Sequence, residues 1–144
     1  MANHDLVLQT LGTMGCRCEE FNEDDKVEFK FQGASFTIFS ENESSYIDIY
    51  RTWWFEDNLD DYDNVGAIVK AVNGTNLNCA TTLVYSIDNE NNVIGVHGKK
   101  CVPFLPSMPD LDVFLTTELE DFFIAEKEFH EQKRALEEEK VSEN

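Results

Sequence analysis

The chain carries no run of eighteen uninterrupted apolar residues, so no segment of it reads as a membrane-spanning helix. Bases are scarce. Eleven Lys and Arg stand against 29 Asp and Glu, a formal charge of −18 over 144 residues. A field of that sign repels phosphate backbones and anionic headgroups, which argues against nucleic acid and against membrane surfaces as partners. Three Pro and seven Gly form no linker, and no internal repeat is visible. There is no Gly-rich phosphate loop and no H-E-x-x-H pair, and His4, His97 and His130 are dispersed without triad spacing. No catalytic residue and no cofactor are therefore expected, and the protein reads as a non-enzyme. The opening Met1-Ala2-Asn3-His4-Asp5 lacks the basic and apolar stretches of a secretory signal. A cytoplasmic setting is expected.

Cysteine is sparse too. In a cytoplasmic chain, Cys16, Cys18, Cys79 and Cys101 read as reduced thiols acting as small apolar side chains. Cys16, Cys18, His97 and Cys101 could in principle supply four soft ligands, but C-x-C with H-x₃-C departs from the paired C-x₂₋₄-C spacing of structural zinc sites. No metal is expected there. Asp57–Asp63 is the densest acidic cluster, yet counted from Asp57 its sixth residue is Tyr62 and its twelfth Ile68, where a calcium loop needs Gly and Glu. It reads as a solvated, helix-capping loop.

Against these absences stand 42% hydrophobic residues and eleven Phe, enough for a real core and too apolar for general disorder. Charge is unevenly spread: −11 over residues 1–64, +1 over 65–104 and −8 over 105–144. A first helix is expected from about Asn3 to Met14, with Val7, Leu8, Leu11 and Met14 on one stripe and Gly15 as its left-handed stop. Cys16–Phe21 could add a short strand before the polar break Asn22–Asp25. Three strands with period-two alternation follow: Val27, Phe29 and Phe31; then Phe36 and Ile38 opposite Thr37 and Phe39; then Tyr46 to Trp54. Gln32-Gly33 and Glu41–Ser44 turn between them, giving an antiparallel meander.

Phe55–Asn64 reads as an acidic loop leading to a helix from about Asn64 to Asn73, capped by Asp63 or Asn64 and stopped at Gly74. Strands are expected over Asn78–Ile87 and Val93–Val102, joined through Asp88–Asn92. Pro103, Pro106 and Pro109 break the ladder. A final helix follows, with Leu111, Phe114, Leu115, Leu119, Phe122, Ala125 and Phe129 on its buried stripe. The expected fold is α+β: an antiparallel sheet of about five strands in the order α-β-β-β-α-β-β-α, with helices packed on one face. Residues 1–130 are expected to form a single domain, and 131–144 an acidic tail, helical and then frayed.

Three stretches carry a resemblance. Asn64-Val65-Gly66-Ala67-Ile68-Val69-Lys70-Ala71-Val72-Asn73, the strand–acidic turn–strand of Leu83–Val93, and Leu119-Glu120-Asp121-Phe122-Phe123 resemble the central helix, the hairpin and the last helix of the YbjN family. That family's fold is similar to the type III secretion chaperones. The resemblance implies a cytoplasmic, chaperone-like or regulatory binding domain, often a homodimer, with a protein client. The family supplies no site residues.

The residues themselves offer Phe36, Tyr46, Tyr50, Trp53 and Trp54 as the partner-binding surface. Large aromatics on both faces of a strand leave one set outside the core, and Trp and Tyr are favoured anchors at interfaces. Val113 and Ile124, opposite the last helix's main stripe, hint at a subunit contact. An alternative reading is an acidic immunity or inhibitor protein whose −18 charge complements a basic toxin or nuclease.

Overall fold

A computed structural model of the chain describes residues 3–20, 25–41 and 43–142. Among these the elements are α1 (Asn3–Thr13), β1 (Cys18–Glu20), β2 (Lys26–Phe31), β3 (Ala34–Phe39), β4 (Tyr46–Asn58), α2 (Tyr62–Asn78), β5 (Thr82–Asp88), β6 (Val93–Pro103) and α3 (Leu111–Ser142). The strands form a six-stranded antiparallel sheet in the order β1-β2-β3-β4-β6-β5. The class is the expected α+β. The sheet is one strand wider than about five because the Cys16–Phe21 stretch does pair: Cys18 lies opposite Phe29 and Glu19 opposite Glu28. Phe21, Asn22–Asp24 and Asn42 lie outside the described residues.

The chain divides into two compact units, Met1–Arg51 with Lys99–Glu120 and Thr52–Gly98 with Asp121–Asn144. β4, β6 and α3 each contribute to both.

In the first unit, α1 closes as its sequence demands. Gly15 adopts φ 79°, and the amides of Gly15 and Cys16 donate to the carbonyls of Gly12 and Leu11, so the helix's last carbonyls find partners. Gln32 and Gly33 both take positive φ, the backbone twist a two-residue hairpin needs. The register sets Val27 opposite Ile38, Phe29 opposite Phe36 and Ile38 opposite Ile49. Those side chains are buried, as are Leu6, Val7 and Leu11 of α1 and Leu115 and Leu119 of α3. Lys26, Glu28 and Thr37 share the other face with Phe39, Asp48 and Tyr50.

In the second unit, Ile68, Ala71 and Val72 of α2, Leu83 of β5, Ile94 and Val96 of β6, and Ala125 and Phe129 of α3 form the core, with Trp54 and Phe55 packed against it. Three local expectations are corrected here. β4 runs on to Asn58, so the acidic loop shrinks to the three residues before α2. The extension is held from a distance: the Leu59 amide donates to the Asn92 carbonyl, and Asn92 Nδ2 donates to Asp60 Oδ1. The cap of α2 is Asp61, whose carboxylate accepts from the amides of Asp63 and Asn64, rather than Asp63 or Asn64 itself. Finally, Gly74 lies within α2 instead of ending it. A Cβ there would stand 2.7 Å from Gln132 Oε1, so this glycine leaves room for the Gln132 amide of α3.

α3 runs on through residues 131–142 of the acidic tail, and Lys140 pairs with Asp63.

Candidate functional site

The five sequence-derived surface residues separate sharply. Phe36 is 2% exposed and stacks on Phe29 at 5.7 Å between centroids, with Arg51 over its ring, so it belongs to the core of the first unit. Its place in a partner-binding surface is withdrawn. Alternation put Phe36 on the Ile38 face, and that is the face the register joins to Val27, Phe29 and Ile49. Tyr46, by contrast, is 56% exposed, and Tyr50 is half-buried on the opposite face. There Tyr50 meets Phe39 edge to face at 5.6 Å and 90°. Phe39 was missed as a candidate: its alternation with Ile38 was visible in sequence, but its place opposite Lys26 comes from the register with β2.

Trp53 and Trp54 lie in the second unit. An unbroken strand would send Trp53 and Phe55 one way and Trp54 the other. Instead Trp53 takes φ 52°, a left-handed conformation inside a strand. The alternation breaks there, and Trp54 and Phe55 both pack on Phe129, at 5.3 and 5.1 Å. Trp54 therefore serves the core side. Trp53, 46% exposed, lays its indole over β6. A Cβ on Gly95 would stand 2.0 Å from the Trp53 ring, so only glycine admits it. His97 meets the indole edge to face at 4.8 Å.

The polar groups around Trp53 form a short relay. The Trp53 amide donates to His97 Nδ1 at 2.8 Å, and His97 Nε2 lies 2.6 Å from Ser86 Oγ. A backbone N–H can only donate, so Nδ1 is the unprotonated nitrogen. The ring proton is then on Nε2 and points at Ser86 Oγ. Burial holds the imidazole below its ordinary pKa and so favours this neutral form. This wiring is the reverse of a nucleophile–base pair, in which the imidazole must accept the serine proton and an acid must hold the other nitrogen. Ser86 and His97 fasten the bulge and do not activate a hydroxyl.

Cys16, Cys79 and Cys101 offer no activated nucleophile either. Burial pushes Cys16 and Cys79 up, and partial desolvation with a hydrogen bond to the Asp48 carboxylate does the same to Cys101. Cys18 Sγ lies 3.8 Å from the Cys16 carbonyl oxygen. Among the described residues, no three His, Cys, Asp or Glu side chains converge as a metal site, and no helix is long and apolar enough to cross a membrane.

These features define a mixed α+β domain with exposed aromatics on its sheet and a Ser–His contact wired for structure. No protein-family model matches the sequence, and no curated protein matches it. Among solved structures, an uncharacterized protein from Methanothermobacter thermautotrophicus is similar over 92% of this chain and 96% of that one, with a TM-score of 0.61 at 12% identity. YbjN from E. coli, put forward as a transcription regulator, is similar over 96% of this chain and 92% of that one, with a TM-score of 0.48 at 10% identity. At such identities the likeness is one of fold alone, and the first structure carries it. The YbjN resemblance read from the sequence returns as a likeness in structure on which nothing further rests.

Proposed function

We propose that the chain is a non-enzymatic protein-binding domain, chaperone-like or regulatory, whose client docks on the solvent face of β3 and β4. The observation that carries this reading is the Phe39–Tyr50 edge-to-face pair, with Tyr46 exposed on the same face of β4. Two rings held against each other outside the core cost little further ordering when a partner covers them, and aromatics of this kind anchor interfaces. In the second unit, and apart from that surface, Trp53 is an exposed indole whose conformation is set by Gly95 and His97. The reversed Ser86–His97 wiring and the raised thiols support the non-enzymatic half of the reading.

The test is capture of partners by the full chain, compared with Tyr46→Ala and with the Phe39→Ala, Tyr50→Ala double variant. A partner held by the wild type and lost from both variants supports the reading, and a partner held equally by all three sinks it. Salt separates this reading from that of an acidic inhibitor, which the −18 charge favours. Binding through aromatics should hardly change with ionic strength, whereas charge-led capture of a basic protein should weaken steeply.

A further inference from the structure

Cys16 and Cys18 flank Arg17 where the chain leaves α1 and enters β1, the strand at one end of the sheet. Both cysteines are half-buried while Arg17 and Glu19 are exposed, so the two sulfurs lie on one side of the segment. That side is the inner one, because Cys18 stands opposite Phe29, itself buried. Both ends of the three-residue stretch are fixed. The Cys16 amide donates to the Leu11 carbonyl of α1, and Cys18 pairs in the ladder between β1 and β2. Cys18 Sγ is turned back along the chain, 3.8 Å from the Cys16 carbonyl oxygen.

We propose that Cys16 and Cys18 form a two-thiolate site for a soft monovalent metal ion, Cu(I). The spacing disfavours a disulfide. Residues two apart in an extended segment have Cα atoms roughly 6.6 Å apart, and side chains on one side keep their Cβ atoms at about that separation. A disulfide needs Cβ atoms about 3.5–4.5 Å apart. A metal–thiolate bond of about 2.3 Å lets one ion bridge sulfurs up to ~4.6 Å apart. Two thiols leaning together over this spacing reach that distance without moving the backbone.

Ligand count selects the ion. Zinc takes four ligands in a structural site. Among the described residues no three His, Cys, Asp or Glu side chains converge, and Cys101 lies on β6, far across the sheet order from β1. Two sulfurs are too few for zinc and too soft for calcium or magnesium, whereas thiolates select Cu(I), which two of them hold in line. The electrostatics agree. A chain of −18 draws cations in. Burial pushes the Cys16 thiol up, and a bound cation supplies the positive charge that a sheltered thiolate lacks. Binding is then an exchange in which one Cu(I) enters, two S–H protons leave, and the bis-thiolate complex carries one negative charge. None of these residues belongs to the client surface, so failure here leaves that reading standing, and the reverse holds as well.

The test is anaerobic titration of the reduced, metal-free full chain with Cu(I), with bicinchoninate as the competing chelator. The chain should withhold one Cu(I) from the chelator and release two protons as it binds. Cys16→Ser and Cys18→Ser should each weaken retention by ~100-fold or more with circular dichroism unchanged, beyond the cost of about 10–100-fold for disturbing a group that only orients a ligand. Cys79→Ser and Cys101→Ser should hold the ion as the wild type does. An excess of Zn(II) should not displace it. A wild type that yields all its Cu(I) to the chelator overturns the inference. Retention that survives Cys16→Ser or Cys18→Ser overturns it too, as does displacement by Zn(II).

Discussion

The backbone amide of Trp53 donates to Nδ1 of His97 across 2.8 Å, and this bond holds a tryptophan in a left-handed conformation within a strand. Such a conformation costs on the order of 1–3 kcal/mol and persists only where its surroundings over-determine it. Here the surroundings are a glycine under the indole and an imidazole locked in one tautomer.

A pH dependence follows from that tautomer. His97 lies below its ordinary pKa because burial disfavours the charged form. The folded state thus binds fewer protons at this site than the unfolded chain does. Its contribution to stability is full above the ordinary imidazole pKa and declines as pH falls through it towards the depressed folded value. A charged His97 would also turn an N–H towards the Trp53 amide. Denaturant midpoints of wild type and His97→Gln, measured from pH 8 down to pH 5, should converge as the pH falls. Parallel curves would refute the assignment.

Gly95→Ala should drive the Trp53 indole off its seat, because the new Cβ would overlap the ring. The expected cost is about 1–3 kcal/mol, as for other overpacked sites, with a red-shifted tryptophan emission. Adding Trp53→Ala should recover part of that loss, which a double-mutant cycle measures directly.

Phe36 and Tyr46 should behave as opposites. Phe36→Ala empties a core position and should cost about 3–5 kcal/mol in urea unfolding. Tyr46→Ala should stay within about 0.5 kcal/mol of wild type and reveal itself only in partner capture.

Asp61→Ala removes the acceptor for the amides of Asp63 and Asn64 at the start of α2. A loss of about 0.5–2 kcal/mol is expected. Asp61→Asn, which keeps the acceptor, should recover most of it. Equal losses in the two variants would mean that the cap is not the cause.

The turns at Gly15 and Gln32-Gly33 were legible because each is set by residues adjacent in sequence, a left-handed position that glycine occupies without strain. The meander of β2, β3 and β4 was legible for a similar reason, since period-two alternation is a local pattern. Phe36 shows where that reading stops. Its alternation with Thr37 was visible, but which of the two faces the core depends on register with β2 and β4 and on the helices that cover one side. The Trp53 bulge lay further out of reach. Nothing in Thr52-Trp53-Trp54-Phe55 announces it, because its support comes from Gly95 and His97 on another strand. The length of β4 was underestimated for the same reason, since Asn92 secures its far end.

Sequence alone determined the class of elements, most of their order and the acidic field, because periodicity, caps and charge are properties of neighbouring residues. Only the tertiary structure decided that Phe39 and Tyr50 are left outside the core and that Trp53 is turned onto Gly95. Those outcomes depend on which distant segments pair and on what each face packs against, and no stretch of chain contains that information by itself.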